Sequence, residues 1–286
     1  IIGALSAFLL GLNTIIWSIP LFAVTLLKLV LPVGFWRKLC ARGLTLIADG
    51  WIFLNNTTIA LTKRIRWEIN GTEGLYLNKR YLVFSNHQSW MDILVLQKIF
   101  FRKIPFLKFF LKKELIWFPV MGQAWWALDM PFMKRYSASF LEKHPHLKGQ
   151  DLEVTRKACE KFKTMPVSVM NFVEGTRFSH AKHKKQKSPY KNLLKPKSGG
   201  IAFALGVLGD QIDNILNVTI VYPKGPKSFW AFLSGKVNEI KVKVESLPVS
   251  KELLGDYIRD HEYRERFHQW INGIWKEKDR TIEEMS

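Results

Sequence analysis

The chain opens on an uncharged apolar run, residues 1–27, and its first charge is Lys28. As a helix that run reaches roughly 40 Å, against about 30 Å of hydrocarbon in a bilayer. It can span with tilt, or kink at Pro20 and re-enter the same leaflet. A cleaved signal peptide fits less well, because the run is too long and no small-residue cleavage site follows. Lys28, Arg37, Lys38 and Arg42 come next, and positive charge beside a span favours the cytoplasmic side. Residues 44–61 form a second apolar stretch, interrupted by Asp49 and by Asn55 and Asn56. That pattern reads as an amphipathic or re-entrant helix against a bilayer, or as a buried helix.

From residue 65 short apolar runs alternate with helical periodicity. Strands are expected over 65–69, 81–85, 167–172 and 216–222, and helices over 90–100 and 151–163. Ile240, Val242 and Val244 alternate with Lys241 and Lys243, as in a half-exposed edge strand. Phe267, Trp270, Ile271, Ile274 and Trp275 recur at helical spacing, a stripe expected to pack on the core. The alternation predicts an α/β fold, a mixed sheet flanked by helices. Residues 1–62 form its membrane-anchoring segment and residues 63–286 the α/β domain. Residues 104–133 are unusually aromatic, with Trp117, Trp125 and Trp126 beside Phe106, Phe109, Phe110 and Phe118. Such rings suit the headgroup level of a bilayer, an acyl-chain tunnel or plain core.

Charge narrows the partners. Against 24 acidic residues stand 43 basic ones, a net of +19. That balance implies an anionic partner: membrane phospholipid, a phosphorylated substrate, an acidic carrier or nucleic acid. Nucleic acid is disfavoured, because the aromatics sit in apolar runs and do not interleave with the basic segment. That segment, residues 179–197, holds seven lysines and lacks a clear period, which predicts an exposed loop. It is either a solvated surface or a clamp on anionic lipid, where each lysine contributes about 1 kcal/mol. Cys40 and Cys159 have no partners at metal-ligand spacing, and Cys159 falls on an apolar helical face with Leu152 and Phe162. His180 and His183 have no matching carboxylate or cysteine, so no metal is implied.

Two stretches carry chemistry. Asn86-His87-Gln88-Ser89-Trp90-Met91-Asp92 follows the apolar run at 81–84. A histidine at the mouth of a strand can take a proton from a hydroxyl near neutral pH. A carboxylate on its other ring nitrogen fixes the tautomer and stabilises the imidazolium. Five residues apart on one helix the two would not face each other. They meet if His87 sits in the loop and Asp92 in the first turn of the next helix. Ser89-x-x-Asp92 also resembles a capping box, so Asp92 has an alternative role as a helix cap. Phe172-Val173-Glu174-Gly175-Thr176-Arg177-Phe178-Ser179 ends a second strand. It leaves Glu174 and Arg177 at a glycine turn, with a guanidinium fork suited to phosphate.

Together these stretches resemble the 1-acylglycerol-3-phosphate acyltransferases. That family carries an Asn-His-x4-Asp block and a Phe-Pro-Glu-Gly-Thr-Arg-Ser block. Here Val173 replaces the proline and Phe178 precedes the serine. Asp129-Met130-Pro131-Phe132-Met133-Lys134-Arg135 is similar to the family's Gly-x-Ile-Phe-Ile-x-Arg block, with Asp129 in place of the glycine. Residues 218–223 resemble its apolar fourth block, and the resemblance covers residues 80–225. The wording of residues 126–135 and the lysine insert look most like a proteobacterial inner-membrane branch.

The resemblance implies an O-acyltransferase acting on a lysophospholipid acceptor, 1-acylglycerol 3-phosphate first, with lysophosphatidylglycerol or lysophosphatidylinositol as alternatives. The donor would be acyl-CoA or acyl carrier protein, with no further cofactor. It implies His87 and Asp92 as the catalytic pair, and Arg135, Glu174, Gly175, Thr176 and Arg177 around the phosphate. Backbone amides near Gly175 are candidates for phosphate or oxyanion donors. A non-catalytic membrane protein of the same fold is the alternative from another class.

Overall fold

The computed structural model describes residues 1–31, 33–133, 162, 165–226, 228–257 and 259–286. Helices α1 (Ile2–Val30) and α2 (Gly34–Thr62) form an antiparallel hairpin ahead of the sheet. The sheet is built from β1 (Arg66–Asn70), β2 (Tyr81–Ser85), β3 (Leu107–Phe109), β6 (Ser168–Phe172), β7 (Asn214–Val221) and β8 (Glu239–Pro248). Its order is β1-β8-β7-β2-β6-β3, and β7 with β8 is its antiparallel pair. Two short strands, β4 (Leu111–Lys112) and β5 (Phe132–Met133), pair beside it. The helices of the domain are α3 (Met91–Phe100), α4 (Met121–Ala127), α5 (His180–Gln186), α6 (Gly199–Leu208), α7 (Phe229–Leu233) and α8 (His261–Met285). The expected α/β class with a mixed, helix-flanked sheet is what the chain forms. The expected helix at 151–163 and the Cys159 environment lie outside the described residues.

Strand alternation divides the core into two layers. Tyr81 and Val83 of β2, with Met170, Leu216, Ile240 and Val242, face the layer that holds α3, α4 and the helical hairpin. Leu82 and Phe84, with Val169, Ile215 and Val221, face α6 and α8. There Phe267, Ile271 and Trp275 are buried and Trp270 and Ile274 pack against them, so the C-terminal stripe is core.

β8 corrects one expectation. It is interior, paired with β7 on one side and with β1 on the other. Alternation reports one thinly covered face of a sheet, not an unpaired edge, and Lys241 and Lys243 are half-buried on that face. The turn after β1 depends on a glycine. Gly71 has φ +80°, and a Cβ there would lie 1.9 Å from the Val244 carbonyl oxygen. Gly74 has φ +69° and open space around it. Gly74→Ala should therefore cost only the left-handed strain, about 1–2 kcal/mol. Gly71→Ala adds a backbone clash between β1 and β8 and should cost clearly more. Chemical denaturation of the two variants in detergent measures the difference; equal midpoints would remove the clash from the account.

The hairpin is stitched by polar groups inside apolar helices. Asn13 Nδ2 donates to Asn55 Oδ1 at 2.8 Å and to the Trp51 carbonyl at 3.0 Å. Trp51 Nε1 donates to Thr14 Oγ1. The asparagines that interrupt the second apolar stretch thus include a partner for a polar residue on the first. α1 runs as one helix through Pro20. Both its ends rest on the domain: Gly3 meets Ser234 just after α7, and Lys28 pairs with Asp129 at 2.6 Å. Asp129 has φ +54°. A left-handed residue is a natural place for glycine, and aspartate tolerates it best after asparagine and glycine. Aspartate is therefore tolerated at a position where the resemblance led one to expect glycine.

Candidate active site

β2, β6 and β7 run parallel in register, so their C-terminal ends lie together at one edge of the sheet. Ligands of open α/β sheets bind outside such ends. The loop that leaves β2 begins with Asn86, fully buried. Its side-chain amide donates to the Ile220 carbonyl at 2.8 Å, and its oxygen accepts from Ile220 N–H at 2.9 Å. Asn86 therefore continues the sheet by one peptide-like pair and fixes where His87 emerges.

His87 Nδ1 lies 2.8 Å from Asp92 Oδ2, with His87 in the loop and Asp92 in the first turn of α3. The same oxygen accepts from Gln88 N–H at 2.7 Å and Ser89 N–H at 2.9 Å. One oxygen therefore holds both the histidine and the two loop amides just ahead of α3. Ser89 Oγ accepts from Met91 N–H, one residue earlier than a full capping box would have it. Asp92 is buried and carries a fourth donor, the Tyr222 hydroxyl, 2.6 Å from Oδ1. Burial first, then the Asp92 carboxylate, pushes the Tyr222 phenol well above its usual range, so it stays a donor. The His87 ring stacks on Phe172 at 3.8 Å between centroids. With Nδ1 engaged, Nε2 is the nitrogen left to take a proton.

The second motif is clamped to the first through its backbone. Glu174 Oε1 accepts from His87 N–H at 2.8 Å, and Oε2 accepts from Leu194 N–H at 3.1 Å. Phe178 N–H donates to the His87 carbonyl at 2.7 Å. Glu174 thus orders the histidine loop through its backbone. Gly175 has φ +67° and its N–H donates to the Phe172 carbonyl, so that amide is engaged within the turn. Lys182 Nζ donates to Thr176 Oγ1 at 2.8 Å and to the Arg177 carbonyl at 3.0 Å. The Arg177 guanidinium lies 4.4 Å over the Trp90 ring. It has no carboxylate partner among the described residues, which leaves its donor fork open to an anion. Arg135 lies outside the described residues.

Residues 179–197 are not one exposed loop. Ser179 caps α5, and Tyr190, Leu193 and Leu194 are buried. Tyr190 and the Lys191 and Asn192 amides bond to Asn272 and Asp279 of α8, and Trp275 Nε1 donates to the Leu194 carbonyl. The three apolar residues were masked in the sequence by the lysines around them. Among the described residues no group of histidine, cysteine and carboxylates could hold a metal ion.

Glu174 is fully buried, and burial pushes its carboxyl up to about 8, against the pull of its two amide donors. An acid whose folded value lies above its unfolded one contributes stability that is lost as pH rises through that interval. Stability should therefore fall between pH 4.5 and about 8 from this group. Glu174→Gln cannot titrate and should flatten that part of the profile, whatever constant cost it adds. Parallel profiles in parent and variant would exclude Glu174 as the source.

Residues 66–223 match the family model described as Acyltransferase. An uncharacterized acyltransferase of Saccharomyces cerevisiae is 23% identical over 259 residues, 80% of this chain and 64% of that protein. The human 1-acyl-sn-glycerol-3-phosphate acyltransferase alpha is 30% identical over 114 residues, 40% of this chain and 35% of that protein. The alignments thus span under two thirds of these relatives' own lengths. The crystal structure of the 1-acyl-sn-glycerophosphate (LPA) acyltransferase PlsC from Thermotoga maritima aligns with a TM-score of 0.47 and 17% identity. It covers 96% of this chain and 97% of that one. The family match takes in more than half of the chain, including β2, β6, β7 and both motifs at their ends, and the chain belongs to the Acyltransferase family.

Proposed function

We propose that the protein transfers an acyl chain from a thioester to the free hydroxyl of a lysophospholipid, with 1-acylglycerol 3-phosphate as acceptor and phosphatidate as product. The observation that carries this reading is the His87–Asp92 pair, held at 2.8 Å beside an arginine with an open donor fork. His87 Nε2 takes the hydroxyl proton while the acceptor oxygen attacks the thioester carbonyl. The carbon–sulfur bond of the tetrahedral intermediate then breaks, and the departing thiolate takes the proton back. Asp92 stabilises the imidazolium between these steps. No acyl-enzyme is needed, because the attacking hydroxyl belongs to the acceptor. The donor is acyl-CoA or acyl carrier protein, and the name of the human relative bears on the acceptor.

Arg177, and Arg135 with it, hold the acceptor phosphate in this reading. Charge-assisted bonds contribute roughly 1.5–3 kcal/mol. Arg177→Ala should therefore raise the acceptor KM about ten-fold or more and leave the donor KM near its parent value. Steady-state kinetics with both substrates varied, over a panel of lysophospholipid headgroups, measures this. Equal changes in both KM values would mean that Arg177 holds the fold or the carrier.

The protein works at a membrane surface in this proposal. α1 is long and apolar enough to cross a bilayer. It lies along the domain instead of leaving it, with Leu5, Phe8, Leu12, Ile15, Ile19 and Leu26 exposed outward. α2 adds exposed Phe35, Leu39, Leu46 and Phe53. An apolar stripe of that extent beside a docked hairpin suits burial in one leaflet. Lys28, Arg37, Lys38 and Arg42 at the hairpin's turn favour the cytoplasmic face.

A further inference from the structure

A cavity of about 1110 Å³ opens between the α1–α2 hairpin and the loops that enter β3 and β6. Ile104–Phe106 lead into β3 and Met165–Val167 into β6, whereas His87 follows the far end of β2. Because these strands are parallel, the cavity and His87 lie at opposite ends of the sheet. Two kinds of side chain form its wall. Among the described residues Lys28, Arg37, Lys38, Arg42, Arg102 and Lys108 face it, with only Asp49 and Asp129 in opposition. Lys28 is already paired with Asp129. Lys108 is buried and donates to the Leu128 carbonyl. Arg37, Lys38 and Arg42 have no ion pair or side-chain hydrogen bond among the described residues. Apart from Thr25 and Thr45 the rest of the described wall is apolar, with Leu46, Phe106, Trp126 and Met130.

A concave site lined by one sign of charge concentrates a counter-ion, and guanidinium forks match phosphate oxygens. An apolar wall beside those cations calls for a ligand with an acyl chain as well as a phosphate. The mouth is bordered by α1 and α2, whose outer faces are exposed and apolar. We propose that this cavity is a second lipid site, distinct from the site at His87, that takes an anionic phospholipid by its phosphate headgroup. Its occupant would draw the hairpin turn onto anionic membrane and neutralise Arg37, Lys38 and Arg42 there. The assignment rests on the lining alone and not on the acceptor used at His87.

Photolabelling of the full chain in detergent tests it. The probes are phosphatidylglycerol and phosphatidylcholine that carry the same diazirine acyl chain, with adducts mapped to peptides. Phosphatidylglycerol should label residues 37–49 and 102–130 about ten-fold more than phosphatidylcholine, the ratio one or two charge-assisted bonds give. Excess inorganic phosphate should not abolish that labelling. The variant Arg37→Gln/Lys38→Gln/Arg42→Gln should lose the headgroup preference and keep parent turnover on micellar substrate. His87→Ala should keep the labelling unchanged. Equal labelling by both lipids would overturn the proposal. So would displacement by inorganic phosphate, which marks a free-anion site, or absence of cavity adducts with protection of Arg37 by an acidic carrier protein. The readout is adduct position, so it fails or succeeds apart from the reaction at His87.

Discussion

His87→Ala should reduce acyl transfer to background while the protein stays folded and membrane-bound. The ring is half-buried and stacks on Phe172, but no structural bond depends on it except the one to Asp92. The loop's position is fixed by backbone instead. His87 N–H reaches Glu174, the His87 carbonyl accepts from Phe178, and Asn86 pairs with Ile220. An alanine keeps all of these. What it removes is the general base, an effect of about 10²–10⁴-fold on its own. A glycerol hydroxyl is a poor nucleophile with its proton in place, so the upper end applies. Transfer assayed in isolated membranes, with a thermal melt as the folding control, measures it. Near-parent turnover in folded His87→Ala protein would end the proposed mechanism.

Asp92→Asn is the second large effect, and the structure lets its cause be separated. Asp92 Oδ2 accepts three N–H donors, and Oδ1 accepts the Tyr222 hydroxyl. An asparagine can turn its oxygen to the three donors and its NH2 to Tyr222, whose oxygen can accept. The loop and the histidine tautomer are then kept, and only the negative charge is lost. Turnover should fall by about 10²–10⁴-fold with little change in either KM. Tyr222→Phe keeps the charge and removes one donor to it, a loss of roughly 1.5–3 kcal/mol. The bond from the Tyr222 hydroxyl to the Asp92 carboxylate is lost in either single variant, so the double variant should cost less stability than the sum of the two. If Asp92→Asn and Asp92→Ala were equal in turnover and stability, the separation of charge from geometry would be wrong.

Much of this was legible because the signals are local. The run at 81–85 is buried on both faces, and the residues directly after it place His87 at a strand end. Asp92 sits within one turn of a helix that Ser89 announces. The turn at Gly175 needs its positive φ, which a glycine after a strand foretells. What the sequence hid is non-local. Tyr222 looked like the tail of an apolar strand, yet its hydroxyl crosses from β7 to Asp92, 130 residues away in the chain. Glu174 stood in the motif around the phosphate; its oxygens reach backbone amides of His87 and Leu194, segments that the sequence does not place beside it. Lys182 read as one lysine among seven, although it pins the Thr176–Arg177 turn. β8 looked like an edge because alternation cannot say whether β1 lies beside it.

The most direct test of acyl transfer from thioester to lysophospholipid is thiol release by the purified full chain. Palmitoyl-CoA and 1-acylglycerol 3-phosphate would be supplied together and then separately. Release of free CoA should require the acceptor and match phosphatidate formed one for one, with no acyl group left on the protein. CoA released without acceptor, a stable acyl-protein adduct, or no release with any lysophospholipid would contradict the account.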